Sequence, residues 1–74
     1  MNKIKEIYNE DSYLQIVVCD NKDYFSGLIE IQMDGYGVDH AIEEATYQLK
    51  YDYKIEIETE DINKIKKIYH DYFN

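Results

Sequence analysis

The chain predicts an α+β fold: a small two-layer sandwich in which helices cover one face of a three-stranded, mainly antiparallel sheet. Three observations carry this expectation. Two runs rich in β-branched and aromatic residues, SYLQIVVCD and YFSGLIEIQM, meet across a short polar stretch, as the arms of a hairpin would. Two later segments, VDHAIEEATYQLKYDY and TEDINKIKKIYHDYF, repeat their apolar residues at helical spacing. No proline interrupts any element, and 74 residues lie near the lower limit for one apolar core, so residues 1–74 read as a single domain.

Each element follows from its own pattern. In residues 2–9, Ile4, Ile7 and Tyr8 stand at i, i+3, i+4, which predicts a short helix; Ile4 and Tyr8 also fit one face of a strand, which would make residues 3–8 a strand instead. In residues 12–20, Leu14, Ile16 and Val18 fall on one face, with Tyr13, Gln15, Val17 and Cys19 on the other. DNKD, residues 20–23, has the short polar side chains that close turns. Residues 24–33 form the second arm, with Phe25, Ile29, Ile31 and Met33 inward and Glu30 and Gln32 outward. DGYG, residues 34–37, supplies two glycines for positive backbone angles.

Residues 38–53 carry Val38, Ala41, Ile42, Ala45 and Leu49 on one helical stripe, with Asp39 as N-cap and Glu43 and Glu44 near the positive end of the dipole. YKIEIETE alternates strictly, so Tyr53, Ile55 and Ile57 face inward on a third strand while Glu56 and Glu58 face water. Residues 59–73 offer Thr59 or Asp61 as cap, acids first and lysines later, and a stripe of Ile62, Ile65, Ile68, Tyr69 and Tyr72. The expected order is α-β-β-α-β-α, or β-β-β-α-β-α if residues 3–8 are extended.

The chain begins and ends on near-copies, NKIKEIY at 2–8 and NKIKKIY at 63–69. Lysine between isoleucines keeps the outer face of a short amphipathic helix wet, and so few residue types dominate the composition that recurrence comes easily. The other reading is a matched pair of flanking elements meeting across a homodimer.

Charge restricts the partners. Sixteen acids face eight lysines and no arginine, for a net charge of −8, and residues 6–62 hold fifteen of the acids against three lysines. Without arginine's bidentate fork, few of these carboxylates are held in rigid pairs. A polyanionic body is repelled by nucleic acid and anionic membranes and attracted to basic proteins. Residues 1–11 hold no apolar run of signal-peptide length and nothing later approaches a membrane span, which predicts a cytoplasmic protein.

Chemistry-bearing motifs are sparse. GYG lacks the spacing and lysine of a phosphate loop. Cys19 ends an apolar strand, where a thiol is buried and inert, and as the sole cysteine it makes no disulfide. His40 and Glu44 at i, i+4 are too few for a metal site, and His70 beside Asp71 reads as favourable charge at a helix C-terminus. The expectation is a non-enzymatic protein without cofactor or metal.

Tyrosine is more telling: nine, against two phenylalanines and no tryptophan. Tyr53, Tyr69 and Tyr72 fit the core pattern, whereas Tyr24, Tyr36, Tyr47 and Tyr51 fall on polar faces or loops near acids. Such rings bring stiff contact area and cation–π capacity to an interface. The candidate partner-binding set is therefore Asp20, Asp23, Tyr24, Glu30, Asp34, Tyr36, Glu43, Glu44, Tyr47, Tyr51, Glu56 and Glu58.

In composition, this small acidic tyrosine-studded chain resembles phage and mobile-element inhibitors that act as nucleic-acid mimics, including many anti-CRISPR proteins. The resemblance implies a stoichiometric blocker of the basic groove of a CRISPR-Cas effector or other nuclease in a bacterial host's cytoplasm, with carboxylates standing where phosphates would. A second resemblance rests on GVDHAIEEATYQL, residues 37–49, which looks like the glycine-then-helix segment of HicB-type antitoxins. With residues 3–8 extended, the element order is similar to their partial RNase H-like fold. That resemblance covers this stretch alone and implies a small ribonuclease toxin as partner.

Overall fold

In the computed structural model, which describes residues 3–33 and 35–73, the apolar alternation of the first half of the chain becomes an antiparallel meander. Strand β1 spans Lys3–Glu10, β2 spans Tyr13–Cys19 and β3 spans Phe25–Gln32, in sheet order β1-β2-β3. Helices α1, Val38–Tyr53, and α2, Thr59–Phe73, follow. The class is α+β, as expected, and the order is β-β-β-α-α.

Two elements differ from the first expectation. Residues 3–10 are extended, so the strand alternative for 3–8 holds and the helix over 2–9 does not. The physical reason is a bulge. Ile4 pairs with Val18 and Glu6 with Val17, leaving Lys5 as an extra residue. One inserted residue puts Ile4 and Ile7, three apart, on the same face, opposite Val18 and Ile16. The spacing that suggests a helix is here the spacing of a bulged strand.

The second difference is the expected strand over 53–58. Its alternation is real: Ile55 is buried and Ile57 half-buried, while Glu56 and Glu58 are exposed. It is nevertheless the connection between the helices. Lys54 takes a left-handed conformation (φ 58°), its N–H donates to the Lys50 carbonyl, and the Ile55 N–H reaches back to the Leu49 carbonyl, closing α1 with a Schellman-type turn. Alternation reports an extended chain with one wet side, and says nothing about a ladder partner.

Smaller corrections follow the same logic. A second irregularity, between Val18 and Cys19, sets Phe25 opposite Cys19 with Ser26 extra, so Phe25 faces out, 66% exposed, although Ile29, Ile31 and Met33 are buried as expected. Tyr72 is also partly exposed rather than core. Gly37, at φ 108°, rather than Asp39, precedes α1, and it and Gly35 hold the positive angles expected of DGYG. At the start of α2 the Asp61 carboxylate accepts the Glu58 N–H at 3.3 Å, a capping contact one residue ahead of the helix.

Both helices lie on one face of the sheet, α1 against β3 and α2 against β1 and β2. The core between the layers contains Leu14, Ile16, Val18, Ile29, Ala45, Leu49 and Ile65, all essentially inaccessible. Gly27 lacks a side chain where β3 passes under α1, and the Tyr53 ring fills that place; any Cβ there would collide with the phenol. At the opposite end, the Gly37 N–H donates to the Tyr69 hydroxyl at 3.2 Å, joining the start of α1 to the later half of α2. Among the described residues, no helix is long and apolar enough to cross a membrane.

Candidate protein-binding surface

Helix α1 buries Ala41, Ala45 and Leu49, and that stripe forces the residues between them outward. Glu43, Tyr47 and Tyr51 are exposed on this outer side and Glu44 is half-buried at its margin. The rings are organised. Tyr47 and Tyr51, one turn apart, pack with their rings tilted by 43° at 4.6 Å between centroids, and Tyr36, 80% exposed just before the helix, stands edge-on to His40 at 5.7 Å. Lys50 Nζ lies 5.8 Å from the Tyr51 centroid.

Glu30 joins this ridge from the sheet. With Ile31 and Gln32 of β3 and His40, Glu44 and Gln48 of α1, it lines an open groove of about 250 Å³. A neighbouring shallow hollow of about 360 Å³ is lined by His40, Glu43, Glu44 and Tyr47. Six of the expected residues, Glu30, Tyr36, Glu43, Glu44, Tyr47 and Tyr51, thus form one acidic, aromatic strip along α1 and the β3 side.

The others sit elsewhere. Asp20, Asp23 and Tyr24 belong to the β2–β3 turn, where Asp20 Oδ1 accepts the N–H groups of Lys22 (2.8 Å) and Tyr24 (3.0 Å). That carboxylate is committed to shaping the turn. Glu56 and Glu58 lie on the exposed side of the connection after α1. Because Tyr53 rests over Gly27, that connection leaves α1 at the end of the sheet where the β2–β3 turn lies. Asp34 lies outside the described residues.

Electrostatically the strip is open. Among the described residues, the Glu30, Glu43, Glu56 and Glu58 side chains form no hydrogen bond or ion pair, and the Glu44 carboxylate accepts only the Gln48 amide at 3.3 Å. Helix α2 contrasts: its lysines at 64, 66 and 67 balance its three acids, and Lys67 pairs with Asp71 at 3.0 Å.

The helix-free face of the sheet holds further residues that the sequence reading did not place in a site. Cross-strand neighbours Tyr8 and Gln15, Glu10 and Tyr13, and Val17 and Leu28 lie there, with Tyr8, Tyr13 and Leu28 each more than 40% exposed. The alternation of β2 signals Tyr13; Tyr8 is hidden by the helical spacing of its segment. Cys19 is a buried free thiol, and among the described residues no three His, Cys, Asp or Glu side chains converge to hold a metal. Comparison with protein-family models, curated proteins and solved structures finds no match for this chain.

Proposed function

We propose that this chain is a non-enzymatic protein ligand that occupies the basic nucleic-acid-binding surface of a partner, such as a CRISPR-Cas effector or another nuclease, and blocks it stoichiometrically. The observation that carries this reading is the strip on α1, where the Glu43 and Glu44 carboxylates, neither held in an ion pair among the described residues, stand one turn from the exposed, mutually packed rings of Tyr47 and Tyr51. Carboxylates steer a cationic partner from a distance, and phenol rings supply packing and cation–π contact once it arrives.

Magnitudes show why both parts matter. The molecule is 36 Å long, and a DNA duplex of that length carries roughly 21 phosphate charges. The net charge of −8 is far smaller. Charge alone therefore makes a poor duplex substitute, and the short-range share of the affinity must come from the rings.

The test uses a partner captured from a bacterial lysate at low salt. Binding should weaken steeply as salt rises and be competed by DNA or RNA. Combined Glu30→Lys, Glu43→Lys, Glu44→Lys, Glu56→Lys and Glu58→Lys changes should lower affinity about 100-fold or more, whereas Lys64→Glu with Lys66→Glu should change it less than about threefold. A partner indifferent to salt, to nucleic acid and to the five reversals would end this reading.

One observation favours a second reading. Strand β1 gives the chain the β-β-β-α beginning of HicB-type antitoxins, and residues 37–49 run from Gly37 into α1 as that resemblance implies. The departure is that α1 is followed by a second helix and not by a strand. Under this reading the captured partner is a small ribonuclease whose RNA cleavage is silenced.

A further inference from the structure

The two edges of the sheet are built differently. On β1 the ladder is broken by the bulge at Lys5, and lysines at positions 3 and 5 mark the strand. Bulges and lysines are the usual devices that stop an edge from pairing with another chain. On β3, Gly27–Gln32 runs without interruption and carries neither lysine nor proline. Among the described residues, no strand pairs with β3 on its outer side.

The direction of its backbone groups follows from one hydrogen bond. The Met33 N–H donates to the Ser12 carbonyl at 2.8 Å, toward β2. Backbone groups alternate sides along a strand, so those of Ile31 and Ile29, paired with Leu14 and Ile16, also face β2. The N–H and C=O groups of Leu28, Glu30 and Gln32 therefore face the open edge. Below that edge runs the α1 line His40, Glu44, Gln48, the other wall of the groove.

We propose that β3 is a docking edge for an extended, lysine- or arginine-bearing segment of a partner protein, which adds to the sheet as a fourth strand. This rests on the reading above that the partner is basic. Side chains of an added strand alternate between the two faces of the sheet. On the outer face they meet Glu30; on the inner face they enter the groove beside Glu44. Basic residues thus find a carboxylate on either face, while the main chain supplies hydrogen bonds to Leu28, Glu30 and Gln32. A second copy of this chain fits worse, because antiparallel β3–β3 pairing centred on Glu30 sets that carboxylate against its own copy.

The experiment titrates the isotopically labelled protein with a short acetylated peptide alternating lysine with threonine and valine. A second peptide is the same but N-methylated at the amides that face β3, and a third has glutamate for lysine. Expected are shifts and slowed hydrogen exchange at the Leu28, Glu30 and Gln32 amides with the first peptide. Affinity should fall about tenfold or more on N-methylation, since two or three hydrogen bonds are lost. A similar loss is expected in a Glu30→Lys, Glu44→Lys variant whose spectrum shows an intact fold, and no binding of the glutamate peptide. Equal binding of the methylated and unmethylated peptides overturns the proposal, as do perturbations confined to Tyr47 and Tyr51. Slowed exchange in β3 that tracks protein concentration without peptide identifies a second copy as the occupant and also overturns it. A captured basic partner that is sensitive to salt and nucleic acid but not displaced by the first peptide defeats strand addition and leaves the charge-docking reading standing.

Discussion

Lys3–Tyr8 and Lys64–Tyr69 share five of six residues, yet the first is a strand and the second a helix. In α2 the spacing of Ile65, Ile68 and Tyr69 sets all three on the inner stripe, with Ile65 and Tyr69 fully buried. In β1 the equivalents are Ile4, Ile7 and Tyr8. There the bulge keeps the two isoleucines inward and sends the tyrosine to the open face. What decides is the surroundings. Around the second copy the helical apolar spacing continues in both directions, to the half-buried Ile62 and the partly exposed Tyr72, so that the segment belongs to a 15-residue helix packed through Ile65, Ile68 and Tyr69, and Asp61 caps its start. After the first copy, Asn9, Glu10 and Asp11 offer no further stripe. The turn at Asp11 (φ 56°) instead brings β2 alongside. Local preference is worth tenths of a kcal/mol per residue, so a neighbouring strand or a continued apolar stripe overrides it.

The sharpest way to break this comparison is to remove one lysine from each copy. Deleting Lys5 takes out the residue without a partner in β2 and leaves the pairs Ile4 with Val18 and Glu6 with Val17 adjacent in a regular ladder. The cost should be no more than about 1 kcal/mol. Deleting Lys66 rotates every later residue by about 100° around the helix, carrying Ile68 to the exposed place of Lys67, Tyr69 to the half-buried place of Ile68 and the polar His70 into the buried place of Tyr69. For a chain of this length, with roughly 4–11 kcal/mol of stability in hand, that loss should abolish the cooperative transition. Thermal unfolding followed by circular dichroism separates the two; equal tolerance would mean that the copies are not held as described.

A smaller but still large contrast lies in the matched tyrosines. Tyr69→Ala empties a buried site and removes the acceptor for the Gly37 N–H, so it should cost about 3–5 kcal/mol in denaturant unfolding. Tyr8→Ala, on a ring 46% exposed, should cost less than about 1 kcal/mol. The same pair shows how much was readable beforehand. The α1 and α2 bounds and the wet faces of Glu30, Glu43 and Glu56 were legible, because each rests on a single unbroken period, and the β2–β3 hairpin was legible despite its irregularity because two β-rich runs flank one polar turn. What was not legible came where a period was interrupted or imitated: the bulge residues Lys5 and Ser26, which reset parity for Tyr8 and Phe25, and residues 54–58, whose alternation imitates a strand. The α1 strip was half visible, since helical spacing groups Glu43, Glu44, Tyr47 and Tyr51. The groove that sets Glu30 beside Glu44 is a product of tertiary packing that no local pattern announces.

The smallest effect concerns why the second copy is helical at all. The helix offers backbone N–H groups without intrahelical partners at its first turn, and the Asp61 carboxylate reaches back to the Glu58 N–H just outside it. It also sits with Glu60 at the positive end of the dipole. Asp61→Ala removes both contributions from a partly exposed position, so a loss of about 0.5–1 kcal/mol is expected, confined to the start of α2. Asp61→Asn keeps an acceptor oxygen but loses the charge, and should recover the hydrogen-bond share alone. Hydrogen exchange at the amides of residues 58–62 reads this directly: faster in Asp61→Ala, intermediate in Asp61→Asn, and unchanged in β1 for both. Matched acceleration in β1 would show that the cap stabilises the whole domain, and the two copies would then differ by tertiary packing alone.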